Sequence, residues 1–376
     1  MNSYWEHELF LKKADFVVIG GGIVGINAAL TFKTQRPRAR VVLLERGILP
    51  TGASTRNAGF ACFGSPTELL DDLATHTEAA VWDLVQQRWE GLQRMRAKLK
   101  DTSLHYRHYG GYEVFRPSEQ STFEQCVQHL DAFNAQLERI TGQQQVFQVA
   151  DERISDFGLK GVQHLILSKI EGQLHPARMM QGFYDLAKAT GVVIFNGFDV
   201  QTLHESSQDV SIRSSTGISL KAAQVLVATN GFARQLLPDL AVTPARNQVL
   251  ITAPIPNLKL KGCFHYDRGY IYFRNVGNRI LLGGGRNLAA EVEATDQFGH
   301  TATIQNALQR ILQDVILPQQ NVSITHWWSG ILGVGERKQA ILKKYSTRIG
   351  VAVRMGGMGV AIGTAIGEKA AQLLLE

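Results

Sequence analysis

Apolar positions along this chain follow two periods. Phe16-Val17-Val18-Ile19 and Val41-Val42-Leu43-Leu44 are short, unbroken apolar runs, the signature of strands buried on both faces. Between them, Ile23 to Gln35 is helix-forming and ends ahead of Pro37. Val81, Val85, Trp89, Leu92 and Leu99 recur at helical spacing, as do Phe123, Val127, Leu130, Leu137 and Ile140. Each set predicts an amphipathic helix with one face toward a core. Ser65-Pro66-Thr67-Glu68 has the spacing of a capping box and predicts a helix start. Tyr109–Phe115 and Val192–Phe195 predict strands, and short strands around Val210 and Leu220 predict a β-meander. A helix over 177–190 follows the segment Glu171-Gly172-Gln173-Leu174-His175-Pro176. Gln224–Ala228 reads as a buried strand running into the small-residue turn Thr229-Asn230-Gly231. Residues 245–285 are rich in strand signals, at Gln248–Thr252, Gly269–Arg274 and Arg279–Gly283. Residues 301–317 read as helix; a strand at 348–353, a glycine-rich turn and a helix to Leu375 close the chain.

The first strand and helix are joined by Gly20, Gly22 and Gly25, spaced G-x-G-x-x-G, and Glu45 ends the second strand twenty residues after Gly25. A lone glycine triplet says little, but strand, glycine turn, helix, strand and acid in this order predict a dinucleotide site. Gly20 permits the tight turn, Gly22 lets backbone approach a pyrophosphate, and Gly25 lets helix and strand pack closely. The N–H groups at the helix start, from Ile23 and Val24, favour phosphate. Glu45 is placed to accept hydrogen bonds from ribose hydroxyls, with Arg46 beside it. The fingerprint alone does not separate NAD from FAD.

With 376 residues, the chain is long enough for two domains. A net charge of +6 with no long basic run gives no indication of a nucleic-acid surface. Cys62, Cys126 and Cys263 are widely spaced, which suits a reducing cytoplasm rather than a disulfide framework. His105 and His108 lack further ligands nearby and read as loop histidines, so no metal site is expected. The first apolar run belongs to the glycine motif rather than to a signal peptide, and no run reaches the ~18 residues of a membrane span.

Beyond the fingerprint, the chain carries Ser54–Phe60, Leu174-His175-Pro176, Ala228-Thr229-Asn230-Gly231, the strand pair Tyr270–Gly284, Trp328-Ser329-Gly330 and the glycine-rich C-terminal strand–helix. In that order they resemble the FAD-dependent amine and amino-acid oxidoreductases of the D-amino-acid oxidase superfamily, which contains glycine, sarcosine and γ-glutamylputrescine oxidases. The resemblance spans nearly the whole length. It implies an α/β fold: a Rossmann-like FAD-binding domain from 1–103, 172–243 and 323–376, with a discontinuous, β-sheet-rich substrate domain from 104–171 and 244–322.

It also implies roles. Ser54, Thr55, Arg56, Asn57, Ala58 and Gly59 would run along the flavin, and Val200 would touch the adenine part. Thr229, Asn230, Gly231 and Gly330 would border the cofactor. The turn Gly356-Gly357-Met358-Gly359, with Val360, would aim a helix N-terminus at the flavin pyrimidine edge, where reduced flavin carries negative charge. The early loop has Arg56-Asn57 where covalent relatives have histidine, and 330–347 has no cysteine, so FAD is expected to be non-covalent. Cys62 reads as a packed thiol.

Tyr270, Tyr272 and Arg274 alternate along one strand and so share a face, a pattern suited to a substrate with a polar or anionic end. Arg354 is a second candidate anion ligand, and His265 and Trp328 are candidates to line the pocket. The implied reaction is hydride transfer from a C–H beside nitrogen to flavin N5, with oxygen, a quinone or a protein carrier as electron acceptor. Ile331-Leu332-Gly333 and the basic segment Arg337-Lys338-Gln339-Ala340 depart from the pattern of amino-acid oxidases, and the lysine that sarcosine oxidases use to activate oxygen has no counterpart in Arg279–Gly283. The alternatives are an FAD-dependent 2-hydroxy-acid dehydrogenase, a non-catalytic flavin-binding interaction protein and an NAD enzyme.

Overall fold

A computed structural model describes residues 3–318 and 320–376. Residues 1, 2 and 319, which fall within the expected domain division, lie outside the described residues. Two eight-stranded sheets carry the chain. The first is centred on Ala14–Ile19, which pairs in parallel with Val41–Glu45 on one side and with Ser219–Val227 on the other. Val193–Asn196 extends it past Val41–Glu45, and Ile349–Val353 extends it past Ser219–Val227, both in parallel. Ile341–Lys344 closes that edge antiparallel. The expected meander has three strands, Val200–Glu205, Val210–Ser214 and the start of Ser219–Val227.

The helix Ile23–Gln35 is buried at every residue from Ile23 to Leu30, which explains its lack of a polar face. It is enclosed by the sheet and by the last helix, Gly359–Leu375, in one apolar core. A Cβ at Gly363 would lie 2.5 Å from Ile23 Cγ2, and one at Gly367 2.4 Å from the Val24 carbonyl oxygen. Those two glycines let helices from opposite ends of the chain touch.

The second sheet runs in the order Ile324–Val334, Thr243–Thr252, Arg279–Gly284, Ile271–Val276, Cys263–Tyr266, Gly111–Phe115, His164–Ser168 and Phe147–Val149. Its strands alternate. Leu250, Phe264, Phe273 and Leu282 face a core closed by the helix Ala302–Ile311. The opposite face presents Val249, Tyr272 and Trp328, packed with Ala58 and Phe60 of the early loop. Ile324–Val334 pairs with Thr243–Thr252 along nearly its whole length and so belongs to the second sheet.

Two local expectations are also modified. Ser65 caps the helix Pro66–Thr75 through the Glu68 N–H, but the reciprocal half of the capping box is missing. The Glu68 carboxylate is instead held by Arg88 at 3.0 Å and Lys338 at 3.3 Å. In the helix Gln120–Thr141, Phe123, Cys126, Leu130, Phe133 and Leu137 form the buried stripe, and Val127 is exposed.

Candidate active site

The C-terminal ends of Ala14–Ile19 and Ser219–Val227 open into a cleft of about 1240 Å³ including its mouth. Open α/β sheets bind ligands at this position. Gly20 has φ 108°, and a Cβ there would lie 2.7 Å from the Ala228 carbonyl oxygen. A Cβ at Gly25 would lie 2.0 Å from the Gly20 carbonyl oxygen, so Gly25 serves helix–strand packing and does not line the cleft. Gly22, Ile23 and Val24 do line it, at the start of the buried helix. The Ile23 N–H donates to Ser54 Oγ at 2.9 Å, which pins the early loop against the helix start.

Glu45 lies at the cleft wall. Its two carboxylate oxygens accept the Gly21 and Gly47 N–H groups, each at 2.9 Å. Burial raises its pKa, and these two bonds oppose the rise. Arg46 lines the cleft with its guanidinium 4.3 Å from the Phe232 ring centroid. Val200 lines it next to Phe198 and Asp199, neither of which the sequence pattern singled out. Thr229 and Asn230 line it too. Asn230 Oδ1 accepts from Arg354 N at 3.1 Å and Met355 N at 3.2 Å, tying the last strand to the turn. Gly231 is packed away, since a Cβ there would lie 2.4 Å from the Leu332 carbonyl oxygen.

A second cavity, of about 860 Å³ including its mouth, adjoins the first. The two share Ala53, Asn57, Leu332, Gly357 and Val360 as wall. Arg56, Ala58, Gly59, Gly330 and Met358 line only the second. Thr55 faces neither, because its hydroxyl donates to the Pro50 and Gly52 carbonyls. Gly356 also lies outside both walls, whereas Gly359 lines the first. The helix Gly359–Leu375 thus starts at the junction of the two cavities.

Of the residues expected on the substrate side, Tyr272 lines the second cavity and Tyr270 does not. Tyr270 is 38 % exposed, with Arg286 5.3 Å from its ring centroid. Arg274 points to the Ala58 side of its strand, as its alternation with Tyr272 requires, but its guanidinium is taken up by backbone. It donates to the carbonyls of Ala58, of Leu174 at 3.1 Å and of Asn275 at 3.3 Å. Arg354 turns away, with Nε on the Gln339 carbonyl and Nη1 on the Ala241 carbonyl, each at 3.0 Å. Neither arginine lines the cavity, so the expected carboxylate grip is not assembled. Trp328 holds the early loop instead, its indole N–H donating to the Arg56 carbonyl at 2.9 Å.

Comparison with known proteins places this geometry. Residues 15–373 match the DAO family, described as FAD dependent oxidoreductase.

The chain belongs to this family of FAD-dependent oxidoreductases.

It is similar to a probable oxidoreductase OrdL from Rhizobium meliloti, with 25% identity covering 97% of this chain and 83% of that protein. Glycine oxidase from Geobacillus kaustophilus is 23% identical over 91% of this chain and 87% of its own. In fold, the chain matches L-proline dehydrogenase from P. horikoshii with a TM-score of 0.75 at 17% identity, over 97% and 94% of the two chains. It matches glycine oxidase from Bacillus cereus with the same TM-score of 0.75 at 16% identity, over 96% and 95%.

FAD is the cofactor of this oxidoreductase family, and the first cleft fits it. It brings together the glycine turn, the start of the helix Ile23–Gln35, Glu45 and Val200, the parts that the fingerprint and the family resemblance assign to the dinucleotide. Gly52 and Gly357 leave its wall open, since a Cβ at either would meet no atom within 4 Å. Thr229 Oγ1 is buried in the cleft wall without a partner among the described residues. Asn247 Oδ1, in the wall of the second cavity, is in the same condition.

The flavoenzyme's second cavity also has a polar floor that the sequence pattern only partly exposed. Asn247 Nδ2 donates to the Tyr272 hydroxyl at 3.0 Å. His265 stands directly opposite Tyr272 on the neighbouring strand, and Phe60 meets both rings edge-on. Cys62 lines the same wall, and burial, then the nearby Glu171 carboxylate, raises its thiol pKa well above the usual range. Asn247 shares strand parity with Val249, so alternation from that residue was the signal for it. Among the described residues no helix is long and apolar enough to cross a membrane.

Proposed function

We propose that this enzyme oxidises a C–N bond of an amine or amino acid by hydride transfer to flavin N5. One observation carries the reading: the second cavity opens off the nucleotide cleft through a shared wall at Asn57, Gly357 and Val360. A small molecule in the second cavity therefore sits against whatever part of the cofactor reaches that wall. Bound FAD supplies the two-electron acceptor at that point.

The protein's own contributions follow from its placed groups. Glu45, Ser54, Thr229 and the start of the helix Ile23–Gln35 would hold the dinucleotide. The N-terminus of Gly359–Leu375 directs unpaired N–H groups and a partial positive charge at the junction of the cavities, where it would stabilise an anionic reduced ring. Phe60, Val249 and Leu332 exclude water from the second cavity, and Tyr272 and Asn247 orient the substrate. The relatives named glycine oxidase support an amine or amino acid as substrate. We assign residues 14–45, 193–227 and 341–375 to the FAD-binding domain and the strands of the second sheet to the substrate domain. The reduced cofactor would pass its electrons to oxygen, a quinone or a protein carrier. A reducing cytoplasm suits the free thiols Cys62, Cys126 and Cys263.

The test is an absorption spectrum of the purified protein followed by anaerobic bleaching with amines, amino acids and 2-hydroxy acids. Bleaching by amines or amino acids is expected. Bleaching by hydroxy acids alone overturns the C–N assignment, and a colourless protein that takes up no FAD overturns the site.

A further inference from the structure

The second cavity ends in a buried acid–imidazole pair that the family fingerprint does not include. Glu171 is 1 % exposed, and its Oε2 lies 3.1 Å from His265 Nε2. His265 lines the cavity, and its Nδ1 makes no hydrogen bond among the described residues. A carboxylate on Nε2 fixes the neutral ring in the Nε2–H tautomer. The lone pair is then on Nδ1, the nitrogen left for a molecule in the cavity.

We infer that His265, oriented by Glu171, is the base that takes the proton from an ammonium substrate. This rests on the amine reading of the same site. Amines reach the enzyme largely protonated, since an alkylammonium titrates near ~10.4. A protonated nitrogen has no lone pair to form C=N as hydride leaves the neighbouring carbon. In the inferred step the substrate N–H bond breaks and its electron pair stays on nitrogen. A new bond forms between that proton and Nδ1. The imidazolium is then paired with the Glu171 carboxylate, and nothing is oxidised or reduced.

The surroundings suit this. Glu171, Glu113 and Glu68 are the acids acting on the ring; Glu113 stands opposite His265 on the adjoining strand. Arg88 balances Glu68 at 3.0 Å. Cys62 and Tyr272 are kept protonated by burial. Burial alone disfavours the imidazolium, but Glu171, by charge and hydrogen bond, reverses this and raises the His265 pKa. A base whose pKa lies near the working pH is the effective kind.

The test compares holoenzyme, His265→Gln and Glu171→Gln in anaerobic flavin reduction by glycine, N-methylglycine, L-proline, propylamine and putrescine, from about pH 6 to about pH 10. Wild-type reduction should rise with pH as the imidazole loses its proton. His265→Gln should slow reduction ~100-fold near neutrality, with the deficit closing at high pH where the free amine arrives unprotonated. Glu171→Gln should move the rise to lower pH. A His265→Gln rate equal to wild type, or a deficit unchanged across pH, overturns the assignment while leaving the amine reading intact. Bleaching by none of these amines overturns the amine reading and the base with it. Nitrogen-15 NMR of the histidine side chains gives a readout independent of turnover. Protonation at Nε2 in the neutral ring is expected, and protonation at Nδ1 overturns the proposal.

Discussion

The phenol ring of Tyr272 occupies the space where a side chain on Gly283 would stand. The two residues face each other across paired strands, and a Cβ at 283 would lie 2.8 Å from Tyr272 Cε2 and from its hydroxyl oxygen. The absent side chain therefore lets the ring lie flat beside Asn247 at the floor of the second cavity.

Gly283→Val is expected to displace that ring and to lower stability by ~1–3 kcal/mol, the range for overpacking. The variant should keep its flavin spectrum but reduce more slowly with any amine that bleaches the wild type. Unchanged reduction would show that Tyr272 does not set substrate position.

Arg274 is 5 % exposed and serves three backbone carbonyls. Burial lowers its pKa to about 10, leaving it charged at neutral pH. Arg274→Met leaves those carbonyls bare, at ~1–3 kcal/mol for each buried unpaired group. A large drop in denaturant midpoint with easier flavin loss is the expected result. An unchanged midpoint with a raised KM for carboxylate substrates would return Arg274 to the role of anion ligand.

Glu45→Gln replaces a two-oxygen acceptor with one oxygen and one donor. The donor would then face the N–H of Gly21 or Gly47. Flavin affinity should fall ~10-fold, about 1.4 kcal/mol, in a titration of apoenzyme with FAD. Tight wild-type binding in the variant would remove Glu45 from the set of cofactor ligands.

Two glutamates, Glu68 half-buried and Glu113 buried, tie stability to pH with opposite signs. Burial would raise Glu68, but Arg88 and Lys338 overcome it and hold the carboxyl at about 2. Its contribution is present above the ordinary ~4.3 and is lost as pH falls through about 2. Burial pushes Glu113 up to about 7 against hydrogen bonds from Thr67 and Ser65. Its contribution is full below ~4.3 and is lost as pH rises through about 7. In thermal melts, the deficit of Glu68→Gln should vanish in strong acid. Glu113→Gln should gain on wild type as pH rises past neutrality. Parallel curves for wild type and both variants would refute the linkage.

The Gly20–Glu45 unit was readable because local chemistry specifies it: an apolar run makes the strand, glycines make the turn, and the acid ends the next strand. The long helices were readable from their period, although Val127 shows that a stripe can lie one position away from an apolar residue. The substrate side was less legible. Alternation places Arg274 on the correct face, but a face does not reveal which carbonyls wait there, and Ala58 and Leu174 come from distant segments. The Glu171–His265 pair joins residues 94 positions apart through two strand pairings, Cys263–Tyr266 with Gly111–Phe115 and Gly111–Phe115 with His164–Ser168, which Glu171 follows. No local period encodes such a meeting. The pairing of Ile324–Val334 with Thr243–Thr252 is hidden for the same reason, since it is chosen by long-range register.

The contacts of Gly363 with Ile23 and of Gly367 with Val24 have a consequence for biosynthesis. The wall against which the dinucleotide helix rests is made from a segment synthesised more than three hundred residues later. Until that stretch emerges, the apolar flank of Ile23–Gln35 has no permanent cover, and non-local closures of this kind are slow. Truncation ahead of Gly359 should accordingly yield aggregated rather than merely colourless protein.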